Sequence, residues 1–197
     1  MIFITTSRRP SRRTRSLCKD LVRVIPGSIY KPRGKKSIKD VAFISLRILG
    51  FPYALILDTI KGNPGLIKFI KCSLEGFSYQ YPFIRIRGVK LMREHNINVR
   101  KFDNVVDNII LMVANEKVYE NFNDAILLFS KIFQRSPLTG ADVTKLIDER
   151  TSVMIFSEKL VEVDGKKTPH LMISFKIGEE NTGPRIWGFP VRRKSLE

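Results

Sequence analysis

Cysteine is scarce in this sequence. Cys18 and Cys72 are the two, far apart and each set in an apolar pattern. Neither belongs to a Cys-x-x-Cys pair, so a zinc site or dithiol redox centre has no support, and both read as small buried hydrophobes of a reducing compartment. Histidine is equally rare, and neither His95 nor His170 has a ligand-spaced partner or a marked nucleophile. Glycine-rich phosphate signatures are missing too. Lys61-Gly62-Asn63-Pro64-Gly65 lacks the phosphate-loop pattern, and no dinucleotide fingerprint occurs. The acids Asp58, Asp103 and Asp107 are scattered and make no pair for two-metal hydrolysis. No apolar run approaches the ~20 residues of a membrane span, and the N-terminus lacks the apolar run of a signal peptide. These gaps mark no catalytic constellation, cofactor site, small-molecule site or membrane span, and the first expectation is a protein that is not an enzyme.

Negative charge is the other thing in short supply. The chain of 197 residues carries 35 Lys and Arg against 19 Asp and Glu, a net charge of +16. Self-repulsion of that size points to a polyanion, with nucleic acid first and an anionic membrane surface second. The charge is also segregated. Residues 1–36 hold a net +10 and residues 85–101 a net +5, whereas residues 102–164 hold a net −5. At 43% hydrophobic the chain can still bury a core, and its length suits one domain or one built of two similar halves.

The first 26 residues organise the rest. Ile2-Phe3-Ile4 reads as a buried strand, and Thr5 to Pro10 as a polar turn. A helix follows, capped by Ser7 or Ser11, with Pro10 in its first turn and its end before Pro26-Gly27. Cys18, Leu21, Val22 and Ile25 form its apolar stripe, widened by Leu17 and Val24. Arg12, Arg15, Lys19 and Arg23 repeat on another face. Further along, a strand at 28–30, a basic turn at 31–36 and a helix from Ser37 to Leu49 are expected. A central strand at 53–57, a turn at 61–65 and a helix over 66–74 come next. Pro82 to Met92 alternates Ile84 and Ile86 with Arg85 and Arg87, a strand with one cationic wet face. Residues 94–107 read as a connector, 109–114 as a strand, 121–134 as a helix and 141–148 as a short helix. Strands are expected at 152–157, at 161–163 with 171–177 around an Asp164-Gly165 turn, and at an edge over 185–191. An offset of 108 lays Ile2-Phe3-Ile4 over Ile110-Leu111-Met112, and Cys18, Leu21, Val24 and Ile25 over Ile126, Phe129, Ile132 and Phe133. Both halves then read strand, turn, helix.

The stretch Ile4 to Leu21, with its Thr-Ser-Arg-Arg-Pro-Ser turn, resembles the opening motif of the Brix-domain family of ribosome-assembly proteins. Tyr30 to Gly34, Tyr53 to Leu57, Lys61 to Gly65, Tyr81 to Gly88 and the Pro169 to Phe175 strand fit the same pattern, so the resemblance covers nearly the whole chain. It implies an α/β fold of two similar half-domains, residues 1–93 and 105–197. Each would be a small mixed sheet with helices packed on one side, resembling the anticodon-binding domain of class IIa aminoacyl-tRNA synthetases. It also implies a non-enzymatic ribosome-biogenesis factor that binds pre-rRNA and assists its processing, folding and subunit assembly. Ribosomal or other assembly proteins would be further partners, and the setting cytoplasmic in an archaeal-type member, nucleolar in a eukaryotic one.

The residues expected to bind RNA are Arg8, Arg9, Arg12, Arg13, Arg15, Lys19 and Arg23, joined by Lys31, Arg33, Lys35, Lys36, Arg85 and Arg87. Guanidinium forks hold phosphate oxygens bidentately, and the helix N-terminus adds backbone amides. Tyr30, Tyr79, Tyr81 and Phe83 lie near these cations in sequence and offer rings to unpaired bases, or simply pack in the sheet. Two other readings compete: an accessory tRNA- or RNA-binding module or RNA-processing enzyme, and a membrane-surface or scaffold module. The second needs exposed apolar residues on the first helix, whose apolar side the core is expected to take.

Overall fold

Alternation along the first strand decides the layering. In β1 (Phe3–Thr6) and the residue before it, Ile2 and Ile4 turn toward one face of the sheet, and Phe3 toward the other. Each face finds a helix. α1 (Arg12–Val24) buries Leu17, Cys18, Leu21 and Val24 on the Ile2–Ile4 face. β2 (Ile29–Tyr30) pairs parallel to β1, and α2 (Ile38–Phe43) then covers Phe3, Ala54, Ile56 and Ile70 from the opposite side. Helices therefore occupy both faces of the first half, rather than the one side expected. A capping box of Ser37 and Asp40 starts α2, and a π-helical turn, Ile44–Ile48, extends it. Ser11, not Ser7, caps α1, its Oγ accepting from the Thr14 amide; Pro10 precedes the cap.

This computed structural model describes residues 1–95, 99–103, 105–140, 146–163, 165–178, 180 and 182–192. The helix expected over 141–148 falls mainly outside them, as does Asp164 of the expected turn.

The segment expected to be a helix at 66–74 is a strand. β3 (Tyr53–Ile60) turns through Lys61 (φ 48°) and Gly62 (φ 79°) straight into β4 (Asn63–Ser73), a two-residue hairpin of the kind that needs positive φ at both positions. β4 is sandwiched: Ile67 and Phe69 face α1, whereas Ile70 and Cys72 face α2. Burial on both sides removes the polar alternation that would have marked a strand, and the remaining pattern imitates a helical stripe.

β5 (Gly76–Lys90) runs 15 residues, long enough to hold β4 on one side and β10 (Arg185–Val191) on the other. β10 is thus central rather than an edge. Pro190 is tolerated because β9 (Lys166–Ile177) pairs only with Ile186, Trp187 and Gly188. β8 (Thr151–Val163), β6 (Asn108–Val113) and β7 (Pro137–Thr139) complete one ten-stranded mixed sheet, in the order β2-β1-β3-β4-β5-β10-β9-β8-β6-β7, in place of two small ones. α3 (Glu116–Phe133), capped by Asn115, packs on the same face as α1, and Phe129 meets Phe69 edge-on at 5.2 Å. The connector contains 3-10 turns at Met92–His95 and Val99–Phe102, with Met92 and Phe102 buried.

Strand direction gives the two halves opposite ends. β1, β2 and β3 run parallel, so their carboxyl ends share one end of the sheet. β10 is antiparallel to β5, and β6, β7 and β8 run with one another, so the carboxyl ends of β6–β8 point to the opposite end.

Candidate nucleic-acid interface

The carboxyl ends of β1 and β2 carry the basic turns, at the place where open α/β sheets take their ligands. Ser7 N–H donates to Leu57 O, and Ser11 N–H to Thr59 Oγ1, which fixes the Ser7–Ser11 turn against β3. That anchoring turns Arg8 and Arg9 outward, both exposed. Arg12, Arg15 and Lys19 are exposed on α1, spaced three and four residues apart, so they form one row. Thr5 Oγ1 donates to Lys31 O, and Lys31 N–H to Ile4 O, holding the second basic turn beside the first. Lys31, Lys35 and Lys36 are exposed there. Arg33 is half-buried with its Nε donating to Lys36 O. Burial first and the neighbouring Arg8 second push the Arg33 pKa below its ordinary value, so like charges are already crowded at this rim. Among the described residues, none of Arg8, Arg9, Arg12, Arg15, Lys19, Lys31, Lys35 or Lys36 pairs with a carboxylate.

Two of the expected arginines are committed elsewhere. Arg13 donates to Val89 O and to Glu94, each at 2.9 Å, stapling α1 to the end of β5. Arg23 pairs with Asp103 at 2.6 Å and approaches Asp20 at 3.7 Å. Glu94 and Asp103 lie far along the chain, where no local pattern reveals them. Asp20 in turn accepts from the Met92 amide, and burial raises its pKa despite that bond.

Arg85 and Arg87 do not join the α1 row. They share the face of Phe83 and Phe189, opposite α1, because Ile84 and Ile86 take the α1 side. Groups of the two faces share a cavity of about 540 Å³ at the rim, whose lining includes Arg13, Lys61, Asn63, Arg85, Arg87 and Trp187. Lys61, Lys159, Trp187 and Phe189 are not among the residues expected from sequence. No sequence window joins them: Lys61 lies on the β3–β4 hairpin, and Lys159 of β8 reaches the rings of β10 only across β9. Of the aromatics expected near the cations, Tyr79 and Tyr81 are partly exposed and form a ring cluster with Phe77 and Phe83. Tyr30 packs against the core.

At the equivalent end of the second half, the opening of α3 carries carboxylates in place of the arginines. The turn into α3 offers Asn115, Glu116 and Lys117, and the helix continues with Glu120 and Asp124. Asn115 Oδ1 accepts the Val118 amide, so that N-terminus is capped by its own side chain. Among the described residues no group of three His, Cys, Asp or Glu is placed to hold a metal ion, and no helix is long and apolar enough to cross a membrane.

No family model matches the chain. Curated proteins do. Over 94 residues it is 46% identical to a Pyrococcus horikoshii protein and 44% identical to one from Thermococcus kodakarensis. Over 117 residues, 59% of this chain, it is 38% identical to one from Pyrococcus abyssi. Each of these proteins is named a probable Brix domain-containing ribosomal biogenesis protein. The chain spans about half the length of the curated relatives it matches, the matched stretch covering 41%, 44% and 50% of them. Among solved structures, a probable ribosomal biogenesis protein from Aeropyrum pernix superposes with a TM-score of 0.73 over 97% of both chains at 22% identity. Mil, an archaeal Imp4-like protein, superposes with a TM-score of 0.54 over 93% of this chain and 94% of its own at 18% identity. The fold of this chain is thus one shared with two archaeal proteins of known structure, and part of its sequence is similar to archaeal proteins named probable Brix domain-containing ribosomal biogenesis proteins.

Proposed function

We propose that this chain is a ribosome-biogenesis factor that binds pre-rRNA at the basic rim and helps it fold, be processed by other proteins and assemble, without catalysing a reaction itself. The observation that carries this reading is the row of exposed cations at the carboxyl ends of β1 and β2, which have no carboxylate partner among the described residues. Arg8, Arg9 and Arg12 flank the first turn of α1, where forks and helix amides can take one phosphate together. Arg15 and Lys19 extend the track along the helix by roughly 1.5 Å per residue, enough with the Lys31–Lys36 turn for several phosphates. Phosphate contacts position RNA without reading sequence, which suits a factor that shapes long precursors.

The repeated strand order, β2-β1-β3-β4-β5 against β7-β6-β8-β9-β10, fits two similar half-domains, about 1–93 and 105–197, of the kind the anticodon-binding likeness implies. In this reading only the first copy keeps a polyanion face. Assembly proteins of the ribosome are the further partners, and the setting is cytoplasmic. Crosslinking the tagged chain in cells, recovering the attached RNA and sequencing it tests the proposal. Enrichment of rRNA precursors over mRNA and tRNA supports it. Background recovery of all three, or specific cleavage of a precursor fragment by the purified chain, overturns it.

A further inference from the structure

The face of the β5–β10–β9 seam turned away from α1 and α3 carries groups that the rim does not use. Trp187, the chain's single tryptophan, is half-buried on β10, opposite Gly88 of β5 and Met172 of β9. A Cβ at residue 88 would overlap the indole, so the ring lies directly on the glycine backbone. Lys159 Nζ stands over the same ring, 3.5 Å from its centroid. Two residues on, the half-buried Phe189 carries the Arg87 guanidinium 5.2 Å from its centroid, and its register partner is Arg85. His170, 3% exposed, lies beside Phe189 with ring centroids 5.7 Å apart, and is the register partner of Lys159. Its Nδ1 is buried with no hydrogen-bond partner among the described residues.

The group is incomplete as it stands. Among the described residues, Arg85, Arg87 and Lys159 have no carboxylate partner, although several other cations of the chain do. A buried ring nitrogen without a partner is costly, and two aromatic rings capped only by flexible cations leave π-faces that a larger flat group can take. One ligand chemistry supplies what the cations and the rings lack: a nucleotide brings a phosphate for Arg85, Arg87 and Lys159 and a flat base for Trp187 and Phe189. Duplex RNA hides its base faces, so the nucleotide must be unpaired. The rim cavity already includes Trp187, Arg85 and Arg87 in its lining, so a strand gripped at the rim reaches the seam without leaving the surface.

We infer that the seam seats an unpaired nucleotide of RNA, its base stacked on Trp187 and Phe189 and its phosphates held by Lys159, Arg85 and Arg87. The inference rests on the RNA-binding function proposed for the rim and adds a second, base-contacting subsite to it. Lys159 leaves the indole when the base arrives and moves to the phosphate.

The single tryptophan is the reporter. A single-stranded 12-mer of uridylate is titrated at low salt while Trp187 emission is followed, and labelled copies of it and of a 12-base-pair duplex are followed by anisotropy. The single strand quenches the emission and the duplex does not. Trp187→Leu weakens single-strand binding about 5- to 150-fold, the range for losing one base–aromatic stack, and leaves duplex binding unchanged. Lys159→Glu, which cuts nothing from the core, weakens the single strand by at least about tenfold with an unchanged far-ultraviolet spectrum. If the 12-mer binds but emission stays constant and Trp187→Leu binds like the parent, the seam inference fails and the rim reading stands. If tripolyphosphate alone quenches as strongly as the 12-mer, the seam is an anion site and the base seat is wrong. If neither RNA binds at low salt, both readings fall.

Discussion

Replacing Arg8, Arg9 and Arg12 together with alanine separates cations free to meet phosphate from cations spent on the fold. Each phosphate neutralised on a single strand contributes about −0.7 to the slope of log affinity against log salt. If about six of the exposed rim cations engage phosphates, the parent slope is near −4, and the triple variant, three contacts poorer, falls to about −2. Between 50 and 200 mM salt the parent then loses roughly 300-fold in affinity and the variant roughly 20-fold. Stability should hardly move, because these side chains are exposed and have no carboxylate partner among the described residues. The comparison variant is Arg13→Ala with Arg23→Ala. Those guanidiniums are held by Glu94, Val89 O and Asp103, so their loss should lower the urea midpoint and leave the salt slope within about 0.5 of the parent. Anisotropy of a labelled RNA 12-mer across a potassium chloride series measures the slopes. A triple variant with an unchanged slope, or an Arg13/Arg23 pair that flattens it as much, refutes the assignment of the rim.

The core and the seam each give a further expected outcome. Phe129 of α3 packs on Phe69 of β4 and Phe156 of β8, 5.2 and 5.3 Å away, so Phe129→Ala should cost about 3–5 kcal/mol in urea unfolding, and a loss below about 1 kcal/mol would contradict a core shared by both halves. Burial first, then Arg87 and Lys159, hold His170 below the ordinary imidazole pKa. Its neutral form therefore favours the fold above that ordinary value, near 6.5, and the contribution is lost as pH falls through 6.5 toward the lowered folded pKa. The parent should lose more stability than His170→Gln between pH 7.5 and 5.5, and identical losses in urea melts would remove His170 from the balance.

Whatever is local is legible in the sequence. The β1–turn–α1 unit and the Ser37 start of α2 rest on short-range periodicity and capping, and they stand where expected. β4 reads as a helix because burial on both faces erases alternation, leaving an apolar run that either period fits. The single sheet is not legible, since the β5–β10 pairing joins residues about a hundred positions apart. Similar distances hide the ties of Arg13 to Glu94 and Arg23 to Asp103, so the basic row looks longer in sequence than the set of free cations. Trp187 over Gly88, beneath Lys159, is legible only once the four strands β5, β10, β9 and β8 are laid side by side.

The antiparallel join of β5 to β10 sets two turns of unlike charge at opposite ends of the sheet. The turns after β1 and β2 carry Arg8, Arg9, Arg12 and Lys31, whereas α3 opens with Glu116 and Glu120. The turn into α1 and the turn into α3 leave opposite ends of one sheet, near its opposite edges. Had the halves been joined in parallel, the two turns would lie at one end and their fields would partly cancel. As built, the positive pole leads. An approaching polyanion feels a torque on the protein well before contact, up to about a Debye length away, ~8 Å at physiological salt. The chain turns its arginine rim toward the RNA and its acidic α3 end away, so the encounter is oriented before any residue touches a base.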